Sequence, residues 1–316
     1  MFEEPRRLRG FFMLPSLALF LLYLEQITSM NRFFLALSLF ATSFVVAQKN
    51  PDVFLISVDN NEEGTIVSGL QNISMDPGYD NQPSFGTDDL LLFSGNNNGQ
   101  TDIFQLHSRM GRKMLVGGLA SGGEYSPQLI PDGSGIAAVR LDTTGLQRLY
   151  AYDKSGVSKV LIPDLMVAYY TFFDTDKIVG CYIEDDGLNL FVYDRNENKV
   201  YTLLKDVGRS FHKVPGQGSV SYSVPNEQGQ QEVYLLDMET LESFFVTQLP
   251  IGVSDYAWLD DSRIVIGSNS SLFVYDTFDK KDWEKFADLD SGVITEISRI
   301  AVSPSGNRIA LVGIPK

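Results

Sequence analysis

The chain has 316 residues, 44% of them hydrophobic, and a formal net charge of −15. A surface this acidic repels phosphate backbones and anionic lipid, which excludes nucleic acid as a natural partner. A single cysteine excludes an internal disulfide, so stability has to come from the core.

Two apolar runs open the chain, Phe11 to Leu24 (14 residues) and Phe33 to Ala47 (15 residues). Both are shorter than the roughly 18–20 apolar residues a membrane-crossing helix needs. The second reads as a secretory signal: Met30-Asn31-Arg32, an apolar core, then Val45-Val46-Ala47 ahead of Gln48. Residues 1–29 are expected to be an upstream extension from a mis-assigned start, or else an apolar segment. Residues 30–47 are expected to be a signal peptide, and 48–316 the mature domain, periplasmic or secreted and with no stable membrane span. No cysteine stands at the cleavage point, so no lipid anchor is expected.

From residue 48 onward one pattern repeats. Six apolar triplets mark it: Pro83-Ser84-Phe85, Pro127-Gln128-Leu129, Thr171-Phe172-Phe173, His212-Lys213-Val214, Tyr256-Ala257-Trp258 and Ile300-Ala301-Val302. Their first residues lie 44, 44, 41, 44 and 44 positions apart. A small polar turn usually follows, such as Pro131-Asp132-Gly133 or Asp260-Asp261-Ser262. Next comes an apolar run such as Leu90-Leu91-Leu92-Phe93, then a hairpin turn such as Asn96-Asn97-Asn98-Gly99. A third strand ends aromatic-x-apolar-Asp, as in Tyr150 to Asp153, Phe191 to Asp194, Tyr234 to Asp237 and Phe273 to Asp276. Phe104 to His107 is the same strand with His in the Asp place. A variable fourth strand completes the unit.

A repeat of this length made only of strands predicts an all-β, six-bladed β-propeller of four-stranded antiparallel blades, with strands A to D running from the channel outward. The sixth unit has only two strands before Lys316. Val53–Asp59 and Thr65–Val67 supply its strands C and D, so N-terminal strands are expected to close the ring beside Arg308–Val312.

Gln82-Pro83-Ser84-Phe85, Ser126 to Gly133 and Val302 to Ala310 resemble the WD40-like repeats of the TolB propeller. The resemblance spans the mature chain and carries its motifs in blades one, two and six. The α/β domain that precedes the propeller in TolB is expected to be absent. The resemblance implies a non-catalytic propeller that binds a protein or peptide partner, such as an envelope protein, at its channel mouth.

The B–C hairpins and D–A connections share one face, where strand A enters the channel. The hairpins carry Asp102, Asp142, Glu184, Asp185, Asp186 and Glu227, and the entries carry Asp80, Glu124, Asp255 and Glu296. Aromatics stand beside them: Tyr79, Tyr125, Tyr169, Tyr170, Phe211 and Tyr256. With His212 and Arg299, these residues predict a binding mouth made of Asp80, Glu124, Tyr125, Tyr169, His212, Asp255, Tyr256, Glu296 and Arg299. Such an acidic ring suits a cationic segment of a partner, or a Ca2+ held by oxygens. Asp is also a good turn former, which accounts for much of the pattern without a ligand.

No catalytic set is legible, and no cofactor is implied. Two histidines, His107 and His212, cannot make a three-His metal site. No Gly-x-Ser-x-Gly elbow occurs. A carbohydrate-active or other small-molecule hydrolase or lyase using channel carboxylates is the alternative reading, with Asp255 and Glu124 as its pair. Cys181 is expected to be a buried apolar residue.

Overall fold

The computed structural model describes residues 50–316, apart from 62–63, 76, 117–119, 186 and 280–281. Both apolar runs, the expected signal peptide and Asp186 therefore lie outside the described residues. Among the described residues no helix is long and apolar enough to cross a membrane.

The chain enters through β1 (Asp52–Asn61) and β2 (Gly64–Asn72). Five four-strand meanders follow. Blade one holds β3 (Asn81–Thr87), β4 (Leu90–Asn97), β5 (Gln100–His107) and β6 (Arg112–Leu115). Blade two holds β7 (Gly123–Leu129), β8 (Gly135–Leu141), β9 (Gln147–Asp153) and β10 (Ser158–Val160). Blade three holds β11 (Val167–Phe172), β12 (Lys177–Glu184), β13 (Gly187–Asp194) and β14 (Lys199–Leu204). Blade four holds β15 (Phe211–Lys213), β16 (Ser219–Pro225), β17 (Gln231–Asp237) and β18 (Ser243–Gln248). Blade five holds β19 (Ala257–Trp258), β20 (Arg263–Ser268), β21 (Ser271–Asp276) and β22 (Glu284–Asp288).

The sixth sheet runs β2-β1-β24-β23, where β23 is Ile294–Val302 and β24 is Arg308–Pro315. Val53 faces Val312, Phe54 faces Leu311 and Ile56 faces Ile309 across that seam. The ring therefore closes with two strands from each end, as the sequence predicts.

Burial explains the strand types. In each blade the second strand is buried along most of its length, as in β8 and β24. Both faces of a blade press on neighbouring blades, so this strand reads as a continuous apolar run instead of an alternating one. The outermost strands, such as β6 and β10, are largely exposed and correspondingly variable. Cys181 lies in the core between blades three and four, and burial pushes its thiol up to about 12.

The recurring Asp at the end of the third strand is a turn cap. Asp153 Oδ1 accepts from the Ser155 and Val157 amides, Asp194 from Asn196 and Glu197, Asp237 from Glu239 and Thr240, and Asp276 from Phe278 and Asp279. A carboxylate that holds two backbone N–H groups fixes the C–D turn, so the motif is architectural. His107, in the same place in blade one, makes a different contact: its Nε2 meets the Gln105 side-chain amide at 2.7 Å.

Candidate binding channel

The inner strands of all six blades wall an axial channel made of two cavities. The one at the strand-A entry end is small, about 90 Å³. The one at the A–B turn end is about 670 Å³, walled by apolar side chains such as Phe85, Leu129, Phe172, Trp258 and Val302 and by polar ones such as Thr171, Lys213, Asp260 and Ser303. Pro83, Ser84, Gln128, Phe211, His212 and Ile300 line both cavities and form the waist between them. The wide end is thus on the face opposite the expected mouth.

Hydrogen bonds between adjacent inner strands hold the waist. Ser84 Oγ donates to the Pro127 carbonyl, and Gln82 Oε1 accepts from the Ser126 amide at 2.9 Å. Gln128 Nε2 donates to the Tyr170 carbonyl at 2.7 Å. Asp255 spans three blades: Oδ1 accepts the Ser210 hydroxyl and Oδ2 accepts the Ile300 amide at 3.0 Å.

Of the nine predicted mouth residues, Tyr169, His212, Asp255 and Arg299 line the small cavity. The other five do not. Tyr256 is fully buried between blades four and five, where its hydroxyl donates to Ser221 Oγ at 2.9 Å. Tyr125 packs against the core between blades two and three. Glu296 is exposed on a bulge of β23.

Glu124 is completely buried beside Tyr152, whose phenol burial and this carboxylate together push well above its usual value. Asp80 is 1% exposed, with Oδ1 accepting the Asn96 amide at 3.2 Å. The hairpin acids are also locally engaged. Asp102 accepts from Asn97 and Gln100, Asp142 pairs with Arg140 at 2.9 Å, and Glu184 accepts from Asn189.

Of the expected acidic ring only Asp255 lines the small cavity; Asp80, Asp102 and Glu124 are buried, and Asp142 and Glu184 are held by side chains of their own hairpins. Among the described residues no cluster of three His, Cys, Asp or Glu could hold a metal ion.

Burial pushes the Asp80 carboxyl up to about 6. The folded state then binds this proton more tightly than the unfolded state, whose carboxyl titrates near 3.8. The stabilisation is complete below about pH 4 and is lost as pH rises through 6. Asp80→Asn should remove that loss. Urea unfolding should show it more stable than the parent by up to about 3 kcal/mol at pH 7.5, and equal to it near pH 4. A variant less stable at pH 7.5 would mean that the buried carboxylate is well paired.

The sequence reading missed Gln82, Gln128, Arg209 and Ser210. A signal for the small cavity was present. The residue just before each triplet is Gln82, Ser126, Tyr170, Phe211, Asp255 or Arg299, and all six line it. Arg209 lies three residues before His212, the offset that Asp80 and Glu124 hold in blades one and two.

No protein-family model matches the sequence, and no curated protein matches it. Solved structures do. A protein of Agrobacterium tumefaciens assigned as TolB superposes with a TM-score of 0.64 and 15% identity, over 85% of this chain and 100% of that one. TolB of Acinetobacter baumannii gives 0.54 at 11% identity, over 83% of this chain and 63% of its own length. A chain of a nidogen/laminin complex gives 0.57 at 11% identity, over 80% and 98%. At such identities the likeness establishes architecture alone. The fold is that of the TolB-like six-bladed β-propellers.

Proposed function

We propose that the chain is an exported, non-catalytic propeller that holds a segment of a protein or peptide partner in its axial channel. The observation that carries this reading is the shape of the channel: a cavity of about 670 Å³, walled by apolar Phe85, Leu129, Phe172 and Trp258 together with polar Thr171, Lys213, Asp260 and Ser303, open toward the A–B turns and narrowing to a waist. Concave sites that combine apolar walls with placed polar groups are typical ligand sites. The presence of this fold in a nidogen/laminin complex is a precedent for a propeller in a protein assembly. Export, to the periplasm or beyond, rests on residues 30–47.

A glycoside hydrolase would need two carboxylates facing each other across the scissile bond. Glu124 lines neither cavity, and both oxygens of Asp255 are engaged. Asp260 and Asp261 both stand at the wide rim, but they are neighbours in one A–B turn and do not face each other from opposite walls, and Asp260 is paired with Arg263 at 2.7 Å. This favours binding over glycoside hydrolysis.

A photoreactive side chain placed at Lys213, in the wide cavity, should cross-link one discrete envelope protein. The same group at Lys159, exposed on an outer strand, should not. Identical products from both positions, or none from 213, would refute channel binding.

A further inference from the structure

The small cavity is cationic in an otherwise anionic protein. Arg209, Arg299 and His212 line it, and Asp255 is the one acid there. Two donors already occupy the Asp255 carboxylate, from Ser210 and Ile300. Arg209 donates through Nη2 to Ser254 Oγ at 2.9 Å, but its Nε is buried without a partner. His212 Nε2 is likewise buried and unpartnered, with its ring 4.8 Å from that of Tyr256. The Arg299 guanidinium carbon lies 5.6 Å from the centre of the Tyr169 ring, which orients the fork without using its N–H groups. Tyr79 feels the charge of both arginines.

A buried, unpaired N–H on a charged guanidinium is costly and uncommon, and beside it stands an unpaired imidazole nitrogen that donates in its Nε2–H tautomer, so the cavity points to an acceptor that enters from outside. Two guanidinium groups against one carboxylate leave a single net positive charge, with the imidazole held neutral by burial and Arg299 against the opposite pull of Asp255. A monoanion balances that charge better than a dianion does. A planar carboxylate also matches the donor geometry of a guanidinium fork. About 90 Å³ is the share of roughly three water molecules, enough for a carboxylate and one or two carbons.

We propose that this cavity is a carboxylate-binding site in which Arg209 and Arg299 hold the oxygens of one carboxylate and His212 Nε2 closes the pocket beside them. The proposal rests on the reading of the channel as a binding channel and gives the charge of what enters its narrow end. An acidic residue of a partner peptide and a free small acid both carry this group.

The test uses the purified full chain and follows imidazole resonances by NMR, because the two histidines serve as reporter and internal control. The probes are N-acetylglycine, an end-capped peptide with one central Glu, and the neutral amide of each. Both acids should shift the His212 resonance saturably and leave His107 unmoved, and the amides should do neither. Arg299→Ala should weaken binding at least tenfold. Arg209→Lys, which keeps charge but loses the fork, should also weaken it while the unfolding midpoint stays near that of the parent. Raising salt from 50 to 300 mM should weaken both acids.

A peptide that binds at least tenfold tighter than N-acetylglycine assigns the site to a partner segment, and equal affinities assign it to a free acid. Equal binding of acids and amides, tighter binding of inorganic phosphate, or indifference to Arg299→Ala would overturn the proposal. If carboxylates bind but position 213 captures no partner, the channel reading fails and the pocket stands. If a partner is captured and neither arginine variant affects it, the reverse holds.

Discussion

Removing residues 49–72 should leave a chain that no longer folds as a soluble monomer. That segment supplies β1 and β2, and β1 is a central strand of the closing sheet, paired with β24 on one side and β2 on the other. Its side chains Val53, Phe54, Ile56 and Val58 are at most 2% exposed. At about 1.5–3 kcal/mol for each fully buried large apolar side chain, their loss removes roughly 6–12 kcal/mol. That is comparable with the whole net stability of a domain, about 5–15 kcal/mol. The deletion also strips partners from the β24 backbone and uncovers Ile309 and Leu311, which leaves a flat apolar edge of the kind that drives association. The expected result is aggregated product, with solubility recovered when a peptide of residues 49–72 is supplied during refolding. A soluble monomer with an unchanged thermal midpoint would disprove the closure.

The 44-residue spacing of the triplets was enough to read blade number, strand order and closure. Repeats of one unit must bury the same faces, so errors in any one copy average out. The strand-C Asp was visible as a motif, and its meaning as a C–D cap follows from its short side chain two positions before a free amide. The mouth was harder to read for a specific backbone reason.

Inner strands of four blades carry register shifts where they enter the channel: Asn81 to Ser84, Tyr125 to Gln128, Val167 to Tyr169 and Thr295 to Arg299. Gln82, Ser126 and Glu296 have positive φ within three of these shifts. A bulge exchanges the two faces of a strand, so alternation no longer says which side chain meets the channel. Asp80 and Glu124, just ahead of two of these shifts, are buried, whereas Arg209, at the same offset in blade four, lines the cavity. Acidic composition gave no warning of this, because a bulk charge does not report which few groups converge.

Trp258→Ala should destabilise the protein by roughly 3–5 kcal/mol, the usual range for truncating a buried aromatic side chain. Trp258 is 5% exposed and packs with Tyr256, Val233 and Ile264 between blades four and five. Its Nε1 donates to Ser221 Oγ at 2.8 Å, the atom that also accepts the Tyr256 hydroxyl, and Ser221 in turn donates to the His212 carbonyl at 3.4 Å. One serine hydroxyl thus ties together blades four and five at the waist of the channel. Truncation empties the space of an indole and takes one of two donors from a fully buried oxygen. Trp258→Phe separates the two effects, since it keeps most of the volume and loses only the N–H. It should cost about 1 kcal/mol, because Tyr256 still satisfies Ser221. Urea denaturation of both variants checks the pair. A cost below about 1 kcal/mol for the alanine variant would mean that β19 is shifted by one residue, since a single-residue slip would turn Trp258 out of the space between the blades and Ala257 into it.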